Sequence, residues 1–409
     1  MLFIERISFM NEQERDALLQ RRRMYFQDAM SFHPDQKYVP NLSFFVTWKV
    51  YDSDLKCTLS EAMMDYDLMA KLTHEFQERY GFDTFIEYSN RNQWRITELA
   101  ESSVYKVDDE AWSIQVKDFP TVYDDEMMEF AENMRKFQWE KIIPRKYPKL
   151  AAGVDLDFFI QLQKEFGDFL AYCQRLPKEM MDQHGMPICM DYKGPMVMCP
   201  AETIFSHYRG IRNFSLDMRR HKSELHAMMD AILPPAAIEG IKAAWKNIDC
   251  NHTQTGLFDG DNVYLAHTVM NPKQFEEFYW PYIKVNFDNL EEHPGISMRL
   301  FTEGSANLIL DRLNDYRKGM FFLHLDEDDP YEIRKKCPKV GIIGGMDTHM
   351  LGYGTPEECV ARTEALVKDF SVDGGYVFSE NRMVSYPNDA NRENLLAVCK
   401  WINEYNNRA

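Results

Sequence analysis

The chain has 409 residues, 45% of them apolar and 27% charged, the composition of an ordinary globular protein with room for a large core. A formal net charge of −18 argues against a basic nucleic-acid-binding surface and disfavours anionic membranes. The apolar start MLFIERISFMNEQERD is broken by charges, so no signal peptide is read there, and no stretch approaches the ~18 apolar residues of a membrane span. Eight cysteines without a CxxC pair predict reduced thiols in a cytoplasmic protein rather than a disulfide framework.

Residues 1–40 read as a helical extension ending in a proline-containing connector. SFFVTWKVY (Ser43–Tyr51), rich in β-branched and aromatic residues, is predicted as the first strand. Thr58 and Glu61 have capping-box spacing and open a helix through Leu68, Leu72, Phe76 and Tyr80, which Gly81 is placed to stop. DTFIEY (Asp83–Tyr88) is the second strand. The charged and aromatic segment 89–155 then breaks the rhythm and reads as an insertion with its own short helices.

Alternation resumes with MPICMDY (Met186–Tyr192) as the third strand and NIDCN (Asn247–Asn251) as the fourth. Asn271, Pro272 and Gln274 then form a helix start with cap, first-turn proline and box residue. ISMRLFT (Ile296–Thr302), MFFLHL (Met320–Leu325), VGIIGG (Val340–Gly345) and GYVFSEN (Gly375–Asn381) supply the remaining strands. Thr355, Pro356 and Glu358 repeat the helix-start pattern between the last two. Apolar runs separated by helices are expected of parallel strands buried on both faces. Eight β/α units in one chain predict a single (β/α)8 TIM barrel spanning 1–409, with 1–40 as an extension and 89–155 as an insertion after the second strand. No GxGxxG opens a helix, so a dinucleotide domain has no support.

A parallel barrel carries its active site at the C-terminal strand ends. The residues there include Tyr88, Asp191, Tyr192, Glu303, His324, Asp326, Met346, Asp347, Glu380 and Asn381. Glu303 and His324 flank twenty residues, about one loop, helix and strand, which can set both at one height on adjacent strands. A carboxylate and an imidazole are ordinary zinc ligands, and a catalytic zinc takes three protein groups with one position open. Glu380 is the best local candidate for the third. A strand-end Glu can equally pair with an arginine such as Arg299 or Arg312, and a strand-end His is often only hydrogen-bonded. GIIGGMD could offer backbone amides to a ligand, and Tyr88, Trp94 and Tyr192 could line an aromatic-binding cavity.

MNPKQFEEFYWPYIK, LFTEGS, VGIIGGMD, GTPEECVARTEALV and GGYVFSEN followed by NRENLLAV resemble the uroporphyrinogen decarboxylase superfamily, whose members are (β/α)8 barrels. The decarboxylases carry an arginine-rich motif after the first strand. Here that place reads FFVTWKVYDSD, so porphyrinogen decarboxylation is not expected. Relatives that feed thiol acceptors use a His-x-Cys pair and a later Cys, where this chain has Phe301, Glu303 and Glu380. The branch that demethylates phenol methyl ethers is similar in placing Glu, twenty residues, then His around zinc; Glu303 and His324 match. That branch also has an earlier Glu, where this chain has Asp288, so the third ligand stays open.

The resemblance implies a zinc-dependent methyltransferase. It would move a methyl group from a small methylated molecule, a methoxylated aromatic, to the Co(I) corrinoid (cobalamin) of a partner corrinoid protein. Glu303, His324 and Asp326 would serve as its catalytic residues. Asp326, Asp347 and Asn381 would orient the substrate, with Tyr88, Asp191, Tyr192 and Met346 against it, and a homodimer is a further implication. The rival readings are a lyase or metal-dependent hydrolase acting on a small carboxylated substrate, and a non-catalytic ligand-binding barrel.

Overall fold

The computed structural model describes residues 11–86, 93–151, 153, 155–248 and 256–408. In chain order its strands are β1 (Leu42–Ser43), β2 (Thr84–Phe85), β3 (Tyr105–Asp108), β4 (Ser113–Val116), β5 (Ile188–Met190), β6 (Gly256–Phe258), β7 (Gly260–Tyr264), β8 (Met298–Thr302), β9 (Phe321–His324), β10 (Gly341–Ile343) and β11 (Tyr376–Val377). Except for the β3–β4 hairpin, every strand pairing is parallel.

The pairings trace a ring. β7 to β11 form one ladder, β5 pairs with β6, and β1 pairs with β2. Only Asp259 separates β6 from β7, and its N–H donates to Ser297 O at 2.9 Å, so these two strands act as one stave beside β8. β11 returns to β1 through Leu42 N to Phe378 O and Phe378 N to Pro40 O, both 2.9 Å. Between β2 and β5 the Thr84 hydroxyl donates to Pro187 O at 2.8 Å. The chain is a (β/α)8 barrel, as the alternation of runs predicts.

The helix starts follow their local chemistry. At Thr58/Glu61, Asn271/Gln274 and Thr355/Glu358 the cap side chain and the box side chain each accept the other's backbone N–H. Gly81 stops the helix Tyr66–Tyr80 at φ 68, a conformation that costs glycine no Cβ strain.

Two predicted strands need correction. β1 ends at Ser43, and Trp48–Asp52 of the predicted run is helical. The chain leaves the ladder after Phe45 pairs with Val384, and Trp48 turns into a nest of Phe45, Phe76 and Tyr80. Aromatic content there reports burial rather than extended backbone. The fourth strand is Gly256–Tyr264; the predicted Asn247–Asn251 lies largely outside the described residues, and Asn247 follows a helix end.

The N-terminal helix Glu12–Ser31 closes the bottom of the barrel. Phe26 and Phe32 join Leu42, Phe258, Phe322, Ile343 and Val377 in one apolar cluster. Gly375, at φ 70, lies so close to the Phe32 ring that a Cβ would overlap it. Within 89–155 the structure shows the helix Trp94–Leu99, the β3–β4 hairpin and a series of short helices. All seven described cysteines are free, and no described helix is long and apolar enough to cross a membrane.

Candidate active site

The register of β8 and β9 sets the centre of the site. Phe301 lies opposite His324, which puts Glu303 two residues beyond it toward the barrel mouth. Arg299, Phe301 and Glu303 share one side of β8 by the two-residue period of a strand. Phe301 and Phe44 pack on the His324 ring, with centroids 5.4 Å and 4.6 Å away.

His324 is fully buried, and both its ring nitrogens are engaged. Arg299 donates to Nδ1 from Nε at 3.2 Å and from Nη2 at 2.9 Å. Nε2 stands 2.7 Å from the backbone carbonyl of Glu380. A neutral imidazole has one lone pair and one N–H. Arg299 can only donate, so the lone pair is on Nδ1 and Nε2 donates to Glu380 O. Burial, and then the Arg299 charge, hold the imidazolium far below its ordinary range. Arg299 is buried too; its Nη1 bonds Asp261 at 2.8 Å, and its guanidinium lies over the Phe44 and Phe301 rings.

The Glu380 carboxylate faces another way. Its Oε2 accepts the Phe44 N–H at 3.1 Å, and its charge is felt by Cys399 of the C-terminal helix. Glu303, His324 and Glu380 as bonded here do not fit a zinc ion, because the imidazole has no free lone pair to give and the Glu380 carboxylate is held by Phe44. Among the described residues no three His, Cys, Asp or Glu side chains gather into a metal-binding group.

Burial pushes the Glu380 carboxyl up to about 7, with the Phe44 N–H opposing it. A raised carboxyl favours the fold while it is neutral. That stabilisation is complete below about 4.5 and is lost as pH rises through about 7. Glu380→Gln keeps an acceptor for Phe44 and carries no charge. Relative to wild type it is expected to gain on the order of 3 kcal/mol at pH 8 over its effect at pH 4.5, read from urea midpoints at the two pH values.

Asp326 ties the mouth loops together: one oxygen accepts the Gly304 N–H at 2.7 Å and the other bonds Arg382 at 2.5 Å. Asn381 accepts the Gly345 N–H at 2.6 Å, so that glycine amide is already used. Met346 is buried in the core, and Asp347 caps the helix Thr348–Tyr353 through His349 N and Met350 N. Asp191 pairs with Lys193 at 2.7 Å, and Tyr192 is half exposed beside it on the loop after β5. Asp288 bonds Lys284 and Tyr316 on the outer helix layer. Tyr88 lies outside the described residues.

The structure adds Glu202, which the strand-end survey passes over because it sits on a short helix, Pro200–Thr203. Its carboxylate accepts the Leu265 and Ala266 N–H groups at 2.8 and 2.9 Å, at the end of β7, and the Tyr279 hydroxyl. Burial holds the Glu202 carboxyl above its ordinary range and the Glu303 charge adds to this, against the pull of Tyr279 and the two amides. Tyr279 is itself pushed well up by burial and by Glu202, so it stays a hydroxyl donor. Buried, hydrogen-bonded mainly on one oxygen and raised above its ordinary range, the Glu202 carboxyl is suited to hold a proton at the barrel mouth.

No curated protein sequence matches the chain. Its fold is similar to that of a methyltransferase from Methanosarcina mazei, with a TM-score of 0.54 and 14% identity over 94% of this chain and 98% of that one. The sequence matches the description of the family "Uroporphyrinogen decarboxylase (URO-D)" over residues 160–405, well over half its length. With the eight-stave parallel barrel and the polar mouth at its C-terminal strand ends, that match places the chain in the uroporphyrinogen decarboxylase family.

Proposed function

We infer that the chain is a methyltransferase that takes a methyl group from a small methyl ether, a methoxylated aromatic, and delivers it to the Co(I) corrinoid of a separate protein. The observation that carries this reading is the buried Glu202 carboxyl, held by Tyr279 and by the Leu265 and Ala266 amides, at the mouth of a barrel whose fold is similar to that of a methyltransferase. The place where porphyrinogen decarboxylases carry arginines is a helix here, Trp48–Asp52, with no arginine in it.

The chemistry fits a proton held at Glu202. When the acceptor attacks the methyl carbon, the C–O bond breaks and its electron pair stays on the ether oxygen. A phenolate leaves poorly unless its charge is neutralised in the transition state. A protonated Glu202 carboxyl supplies that proton and releases a neutral phenol. Tyr279 and the Leu265 and Ala266 amides orient the carboxyl. Substrate binds, and a proton moves from Glu202 to oxygen; no step needs a metal held by His324.

The test is methyl transfer from a panel of methoxylated aromatics to a reduced corrinoid protein, followed by the cobalt absorption change. Transfer with release of the phenol supports the reading; hydrolysis without any corrinoid protein sinks it. Metal analysis of wild type beside His324→Ala tests the site separately. About one zinc per chain, lost in the variant, would require Arg299 to release the imidazole and would overturn the proton-donor mechanism in favour of a metal.

A further inference from the structure

The helix Leu156–His184, which leads from the inserted segment back to β5, is apolar on two faces over its first half. Asp155 caps it by accepting the Phe158 N–H at 2.9 Å. One face is spent on the rest of the chain: Phe158, Phe169 and Tyr172 are buried, and Tyr172 stacks on Tyr66 at 4.9 Å. Charges of this stretch are used nearby, where Asp168 holds Arg95 at 3.2 Å and Lys164 at 2.7 Å.

A second apolar face is left in solvent. Leu156 is 73% exposed and Ile160 and Leu170 56% each, with Phe159 and Phe166 exposed beside them. Their spacing of three and four residues makes one continuous stripe on a helix. From Leu156 to Leu170 it runs about 21 Å. Gln163 and Gly167, both exposed, complete it, and no residue of the stripe is charged. A surface helix ordinarily turns polar residues outward, so solvent alone does not explain this face. Its five large side chains present roughly 500 Å² at these exposures, towards the upper end of the largest patch on an ordinary monomer.

The stripe is self-complementary. A two-fold contact sets a patch against itself, so its residues must match one another in pairs. Two such helices laid antiparallel with the axis at Gln163 set Leu156 against the second copy's Leu170, and Phe159 against its Phe166. Ile160 then meets Gly167, whose missing side chain leaves a notch: nothing lies within 4 Å of where a Cβ would stand. The two Gln163 amides meet at the axis, each able to donate to and accept from the other, and a central polar pair of this kind fixes register. A partner of another sequence would not require the pattern to match about one residue. Charge favours the same occupant. Each chain carries a net −18, so two copies repel, and an uncharged stripe is where they can meet at least cost. Counted on both copies, the patch buries roughly 1,000 Å², the area a specific interface needs.

We propose that this stripe is a homodimer interface, in which the helix Leu156–His184 pairs antiparallel with the same helix of a second copy about Gln163. The proposal goes beyond the methyltransferase reading and does not depend on it.

Sedimentation equilibrium of the full chain tests it. Wild type is expected to be dimeric at micromolar concentration. Ile160→Glu puts a carboxylate into each half of the seam and is expected to raise the dimer dissociation constant at least a hundredfold. Circular dichroism and thermal unfolding establish that the variant is folded; if it is not, Leu170→Glu is expected to give the same loss. Gln163→Cys reads the register: mild oxidation is expected to join two copies through residue 163, while wild type and Gln161→Cys, exposed but off the stripe, stay unjoined. A wild type still monomeric at about 100 μM would overturn the proposal and leave the stripe to a partner of another sequence. A dimer that survives both folded glutamate variants would overturn it by placing the contact on another face. A dimer that they dissociate, yet that Gln163→Cys does not join, would overturn the antiparallel pairing.

Discussion

Arg299→Met is expected to destabilise the barrel by about 3–5 kcal/mol, seen as a lower urea midpoint at unchanged m-value. The guanidinium is almost fully buried and holds Asp261 at 2.8 Å and His324 Nδ1 at 2.9 Å. Removing it strands a mostly buried carboxylate and an imidazole lone pair with no donor. The penalty comes from those orphaned groups more than from the lost attraction, so it is largely recoverable. Asp261→Leu combined with Arg299→Met replaces the pair by apolar volume and is expected to restore much of the midpoint. A double variant as unstable as the sum of its parts would show that the two residues act independently. In that case the barrel core would not be organised around their pair. The same experiment reports on His324. With Arg299 gone its Nδ1 lone pair is free, yet no zinc uptake is expected, because the Glu380 carboxylate stays on the Phe44 N–H and no three ligand side chains gather among the described residues.

This pair also explains where sequence reading reached and where it stopped. Strands such as MFFLHL and VGIIGG were legible because both their faces are buried and the run is apolar throughout. GLFDGDNVYL was not, because the staves β6 and β7 carry Asp259, Asp261 and Asn262. Asp261 is tolerated there because Arg299, 38 residues away in sequence, neutralises it, and no local pattern carries that information. The caps at Thr58, Asn271 and Thr355 were legible because each is closed within four residues.

The height of Glu303 and His324 followed from spacing, but the direction of Glu380 did not. Glu380 is two residues from Phe378 and four from Tyr376, whose ring packs on Phe370 of the flanking helix. The alternation of a strand gives Glu380 the parity of those outward-facing residues, and its carboxylate turns to Phe44 N rather than to the imidazole. Counting parity from Val377, which packs inside the barrel, would have exposed this. Glu202 had no such route: it reaches the mouth from a four-residue helix, and only the fold brings it to Leu265, Ala266 and Tyr279.

Glu202→Gln is expected to lower the rate of methyl transfer to the corrinoid protein by roughly 10²–10³-fold, within the range that a positioned general acid contributes. The amide keeps an oxygen for the Leu265 and Ala266 N–H groups and for Tyr279, so substrate binding is expected to change little. The loss should appear in kcat rather than in KM. The pH profile separates this role from a structural one. In wild type, activity requires the protonated carboxyl, so the rate falls as pH rises through a value held above the ordinary carboxylate range by burial and by Glu303. Glu303→Gln removes the neighbouring charge and is expected to move that descending limb to lower pH while leaving the low-pH rate nearly intact. If instead the limb stays in place in Glu303→Gln, the Glu303 charge does not hold the Glu202 carboxyl up. A Glu202→Gln enzyme with unchanged kcat would place the proton donor elsewhere in the mouth.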